Sequence, residues 1–117
     1  MAKVGTESEQ GRSLQIVGIS GVNDNDVVIE AVGIERFTEF TIGSTAGVMD
    51  VEISLDDTNF LTAKLSLADL GATVTNPVLQ TVANRVYRFR GIFKSIRISQ
   101  KDAAAVANPV LLCGKEK

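Results

Sequence analysis

Four groups of residues could carry chemistry. They are Asn23-Asp24-Asn25-Asp26, the pair Asp56-Asp57, the single Cys113, and the stretch from Arg85 to Lys101. Oxygen-rich clusters are what calcium takes, with six to eight oxygens around each ion. Neither acidic group has the spacing of a calcium loop, and no following Glu closes either one. Asp and Asn are also the residues that tight turns require. A pair of carboxylates could hydrolyse a glycoside, but only at a fixed separation in space, and nothing in the spacing favours one pair. The chain has no His, which excludes a histidine base, a histidine metal ligand and a Ser-His-Asp triad. One Cys excludes an internal disulfide and a Cys-rich zinc site, and a thiol without a His partner is expected to be buried and inert. Gly18 to Gly21 lacks the Lys-Ser/Thr that completes a phosphate loop. The expectation is a protein that is not an enzyme and holds neither cofactor nor metal.

The basic stretch has six cations, Arg85, Arg88, Arg90, Lys94, Arg97 and Lys101, and no acid. Aromatic and basic residues interleave from Tyr87 to Lys94, a mixture that single-stranded nucleic-acid binders use for stacking beside a cationic groove. Strand parity opposes that use. Alternate residues of a strand face opposite ways, so Tyr87 and Phe89 point away from Arg88 and Arg90. The stretch reads instead as a core strand with an arginine-bearing outer face, and no nucleic-acid partner is expected.

These residues need elements to position them. At 117 residues the chain is one domain's worth, and it can bury roughly 65% of its unfolded surface. Residues 1–12 are polar and read as an N-terminal arm; 13–117 read as the folded domain. From Leu14 onward, short runs rich in Val, Ile, Thr and Phe alternate with Gly, Asn, Asp and Ser. That texture predicts an all-β fold, an antiparallel β-sandwich or jelly roll of about eight strands. Strands are placed near 14–20, 27–33, 36–42, 48–55, 59–65, 78–82, 85–90, 93–99 and 109–113. Pro77 and Pro109 fall where strands start. Residues 66–69 and the Ala-rich 101–107 could each form one helical turn.

Two hairpins are expected. In one, the 43–47 loop joins a strand carrying Phe40 and Ile42 to another whose Val51, Ile53 and Leu55 share a face. In the other, Gly91-Ile92 makes a two-residue turn that pairs Tyr87 with Ile96 and Phe89 with Lys94. The second register puts Tyr87, Phe89, Ile96 and Ile98 on one face and Arg88, Arg90 and Arg97 together on the other.

Charge is uneven along the chain. Residues 1–58 carry 11 acids and 3 bases, whereas 59–117 carry 3 acids and 9 bases, within a net charge of -2. Interleaving of the halves in the fold would neutralise both; separate faces meeting on neighbouring copies would set register. No apolar run is long enough for a membrane helix, and residues 1–12 lack the apolar centre of a signal peptide. A membrane is not an expected partner, and one thiol fits synthesis in a reducing cytoplasm.

The segment from Val51 to Phe60, VEISLDDTNF, resembles the V-x-V-S-x-D-G-x-x-W/F hairpin of discoidin-like sugar-binding sandwiches and of small β-sandwich proteins in tailed-phage particles. Asp57 stands in the Gly position and Phe60 in the aromatic one. The run VYRFRGIFKSIRIS, ending at Ser99, resembles the late hairpin of phage structural proteins. The resemblance implies a virion building part, such as a capsid decoration (cement) protein made in the host cytoplasm. Its implied partners are the major capsid protein and copies of itself, as a homo-oligomer. Arg88, Arg90 and Arg97 are the expected interface residues, because Arg is enriched at interface cores. The alternative is a carbohydrate-binding β-sandwich module, which would need exposed rings from a chain with five Phe and one Tyr.

Overall fold

The computed structural model describes residues 1–68 and 78–116. The order of elements is β1 (Ala2–Val4), β2 (Thr6–Gln10), β3 (Ser13–Val17), β4 (Val27–Val32), β5 (Phe37–Gly43), β6 (Val48–Ser54), β7 (Phe60–Thr62), β8 (Ser66–Leu67), β9 (Gln80–Thr81), β10 (Val86–Arg90), β11 (Ser95–Lys101) and β12 (Val110–Glu116). They form two antiparallel sheets. The front sheet runs β1-β4-β11-β6-β7, with β9 also on β6; the back sheet runs β2-β3-β12-β5-β10-β8.

Eight of these strands form a jelly roll. Setting β1, β2, β8 and β9 aside, the order is β3-β12-β5-β10 behind and β4-β11-β6-β7 in front. From β3 to β6 the chain changes sheet at every step, and it does so again from β10 to β12. First and last strands of the eight lie side by side, as two nested Greek keys require.

Alternation builds the core. β10 reads exposed-buried through Val86, Tyr87, Arg88, Phe89 and Arg90, and β6 buries Met49, Val51 and Ile53. Leu14, Ile16, Ile29, Phe37, Phe40, Ile42, Ile96, Ile98 and Leu111 are buried between the sheets. Each such side chain contributes about 1.5–3 kcal/mol by leaving water. Phe40 and Phe89 are direct neighbours on β5 and β10 with ring centres 5.0 Å apart, and Phe93 closes the cluster at 5.7 Å from Phe40. The buried Tyr87 directs its hydroxyl oxygen to the Val82 N–H, which donates to it at 3.0 Å.

Several expectations are corrected. Residues 1–12 are not a free arm: β1 pairs with β4 and β2 pairs with β3. The chain switches sheets between them at Gly5, with φ of +103° and no room for a side chain, since a Cβ would lie 2.9 Å from the Val17 carbonyl oxygen. A polar sequence can form strands here because both are edges, where one side of the ladder and much of each face stay wet.

Neither expected hairpin forms. β5 and β6 lie in different sheets, as do β10 and β11. Residues 91–94 carry the chain across the core: the Gly91 N–H donates to the Thr38 carbonyl on one side, and the Lys94 N–H to the Ser54 carbonyl on the other. Parity fixes which face a residue takes but not whether its partner is the adjacent strand or the opposite sheet. Tyr87, Phe89, Ile96 and Ile98 are therefore all inward, as expected, yet they meet across the sandwich. Leu55 leaves the inner face because the chain turns after the buried Ser54, and it is exposed.

No helix occurs among the described residues. Ser66 and Leu67 are strand β8, held by Arg88 and Tyr87. Ala107 bridges to Ala46 in the second segment expected to be helical. Asp69 and Pro77 lie outside the described residues.

Candidate functional site

The three arginines singled out from the sequence do not share a face. Arg88 and Arg90 project from the outside of the back sheet, and Arg97 from the outside of the front sheet, with the whole core between them. The separation follows from the crossing at residues 91–94.

On the front sheet, Arg97 is engaged. Its guanidinium lies 3.9 Å from the Phe60 ring centre and donates to the Glu52 carboxylate at 3.4 Å. Beside it a hollow of about 550 Å³ is lined by Asp50, Glu52, Gln80, Arg97 and Ser99, among others. Gln80 donates to the Asp50 carboxylate at 3.0 Å. The Asp50 and Glu52 carboxylates thus each have a structural partner. None of the six aromatic rings is exposed: Phe37, Phe40, Tyr87 and Phe89 are buried, while Phe60 and Phe93 are half-buried. Arg97 covers one face of the Phe60 ring.

The acidic loops serve the chain itself. Asp26 accepts the Val22 and Asn23 N–H groups at 3.1 and 2.9 Å, and Asp24 accepts the Asp102 N–H at 2.8 Å. Asp56 accepts the Asn59 and Thr58 N–H groups at 2.8 and 2.9 Å, with further donations from the side chains of Asn59 and Ser54. Those donors hold its carboxyl well below the usual carboxylate range, the Asn59 N–H first among them. Asp57 adopts φ of +66°, the conformation that makes Gly usual at this position, and its carboxylate accepts a hydrogen bond from Ser95. No group of three or more acids or Cys among the described residues could hold a metal ion. Cys113 is buried, and desolvation pushes its thiol up to about 12, so it stays neutral and unreactive.

The two halves of the charge pattern interleave in part. Arg90 meets Glu39 at 3.1 Å, and Arg97 meets Glu52, each joining a late base to an early acid. Arg88 and Arg90 face a cleft of about 380 Å³ together with Lys64 and Ser66. Among the described residues only Arg90 of these three cations has a carboxylate partner. Sequence reasoning did not pick out Lys64, because its place beside β10 depends on strand order.

The outside of the back sheet also carries apolar residues: Val17, Val86 and Leu112 are exposed. The sequence contained a sign of this. Residues 110–113 are apolar at every position, and a strand of that kind has something to cover on both faces.

No protein-family model matches the chain, and no curated protein matches it in sequence. Among solved structures, the SPBc2 prophage-derived protein YomS shares the fold, with a TM-score of 0.61 at 10% identity over 86% of this chain and 88% of that one. A carbohydrate-binding module, CBM32-3 from a family 31 glycoside hydrolase from Clostridium perfringens, aligns at a TM-score of 0.38 and 13% identity over 98% of this chain and 88% of that one.

Proposed function

We propose that this chain is a structural protein of a bacteriophage particle, a capsid decoration (cement) protein that acts by association with the shell and with its own copies. The observation that carries the reading is the back sheet's outer side. There Lys64, Arg88 and Arg90 form a cationic cleft with two charges unpaired among the described residues, beside exposed Val86 and Leu112. Apolar contact surface bordered by arginine is the composition of protein interfaces. The fold shared with a prophage-derived protein supports the phage setting. The partner that fits the cleft is an acidic surface on the shell protein, attracted at long range and docked in one orientation. Arg97, committed to Glu52 and Phe60 on the other side, is not part of this contact.

Co-sedimentation with shells that lack the protein tests the reading. Wild type is expected to pellet with the shells, less so as salt rises. Arg88→Glu with Arg90→Glu is expected to remain in the supernatant. Wild type that stays in the supernatant at low salt would overturn the proposal.

A further inference from the structure

The two sheets part along one side of the sandwich. There β7 ends the front order and β8 the back one, and residues 63–65 carry the chain from one to the other. Strand β8 reaches only Tyr87 and Arg88, so Phe89 and Arg90 have no described strand beside them on that side. An apolar hollow of about 290 Å³ opens in the gap, between Ile53, Leu61, Ala63, Phe89 and Phe93. Leu61 is the register partner of the buried Ile53, which puts both on the inner side of the sheet. Leu61 is nevertheless 59% exposed, because no described strand of the back sheet covers it. The Phe93 ring is held by contact with Phe40 and Phe89 and by the bare backbone of Gly91, where a side chain would strike the ring. The wall of the hollow is therefore built before anything enters it.

This hollow adjoins the cationic cleft. Lys64, Phe89 and Arg90 line both, and Arg88 lines the cleft. No acid lines either one. Lys64 and Arg88 have no carboxylate partner among the described residues. The apolar outer row, Val17, Val110 and Val86 in register, runs on the outside of the back sheet and does not line the hollow.

We propose that hollow and cleft together take one short segment of the shell protein, with an apolar side chain seated against Leu61 and Phe93 and a neighbouring carboxylate at Lys64 and Arg88. The inference rests on the shell-binding reading above and names the chemistry of the partner element. Small-molecule pockets run to about 300–1,000 Å³, so the hollow suits a single side chain better than a whole ligand. Cations at the rim, with no acid to answer them, call for a carboxylate and fix the orientation of the segment. A preformed apolar pocket with a charged rim is also where a few contacts carry most of the affinity. A nucleic-acid strand would satisfy the cations, but bases stack on open rings, and Phe93 is half-buried against Phe40 and Phe89.

Co-sedimentation of the full chain with shells that lack it and are emptied of nucleic acid tests the pairing. Leu61→Ser, an exposed and charge-neutral change, is expected to weaken binding at least about fivefold at every salt concentration. Lys64→Gln is expected to weaken it about threefold at low salt and to flatten the salt dependence. Val22→Ser, at an exposed valine in the loop by Gln100 at the other end of the front sheet, is expected to stay within about twofold of wild type. Thermal melts check folding, and Leu61→Gln serves should Leu61→Ser melt early. A carbodiimide, which joins an amine to a carboxylate in contact with it, is expected to link Lys64 to the shell protein. Replacing the apolar residue next to the linked carboxylate by Ser is expected to weaken binding as Leu61→Ser does, and both changes together no more than either alone. Leu61 variants that bind as tightly as wild type, or two effects that add in full, would overturn the inference and leave shell binding standing. Wild type that pellets only with filled shells would give the cleft to phosphate and overturn it as well. Wild type that pellets with no shells would remove the shell-binding reading itself.

Discussion

Arg97 lies flat over Phe60, with 3.9 Å between the guanidinium carbon and the ring centre. The contact joins β11 to β7, which are not neighbours in the sheet, by reaching across β6. It also ties the Asp56-Asp57 turn, which Phe60 follows, to the middle of the front sheet. A half-exposed cation over a ring contributes about 0.5–1 kcal/mol. A double-mutant cycle with Arg97→Ala and Phe60→Ala, read by urea unfolding, is expected to give a coupling of that size. Arg97→Lys is expected to lose most of it, because the planar guanidinium is what stacks. A coupling of zero would mean that the two side chains merely lie close.

The Asp56 turn sets a pH dependence with a definite sign. Its carboxyl is held well below its ordinary value by the N–H groups of Asn59 and Thr58, so the folded state favours the ionised form. The stabilisation is fully present above the unfolded-chain value of about 3.9 and is lost as pH falls below it. The stability gap between wild type and Asp56→Ala is therefore expected to be constant from neutral pH down to mildly acidic pH and to narrow below that. Urea midpoints across an acid series check it; a gap that widens on acidification would contradict the assignment.

Gln100 is expected to be a stability hot spot although it is polar. It is fully buried, its Oε1 accepts the Val106 N–H at 3.1 Å, and its Nε2 donates to the Asp102 carbonyl at 3.0 Å. Its backbone also bonds Asp26 and Asn25, so one residue holds the 18–26 and 102–109 loops together. Gln100→Leu leaves the Val106 N–H without a partner and is expected to cost about 1–3 kcal/mol. Gly21→Ala is expected to destabilise as well, because a Cβ there would collide with the Gln100 side chain. Denaturant unfolding measures both; unchanged midpoints would contradict the role given to Gln100.

Strand positions were legible in the sequence because they depend on local alternation. Each of the nine expected segments contains or overlaps a strand, from Ser13–Val17 through Val110–Glu116. The inner residues were legible for the same reason, Tyr87, Phe89, Ile96 and Ile98 among them. Partners were not, because Phe89 beside Lys94 and Phe89 facing the opposite sheet produce the same local pattern. That single ambiguity grouped Arg97 with Arg88 and Arg90, whereas the fold puts the core between them. The polar strands Ala2–Val4 and Thr6–Gln10 were missed because an edge needs no apolar alternation. The apolar outer row escaped notice because its members, Val17, Val86 and Val110, come from three distant segments joined only by register.

The presence of the chain in finished particles tests the structural role most directly. Quantitative mass spectrometry of purified phage from the cells that encode the chain is expected to find it in many copies, at a fixed ratio to the major shell protein. Particles that lack it, while the lysate around them contains it in abundance, would contradict the account.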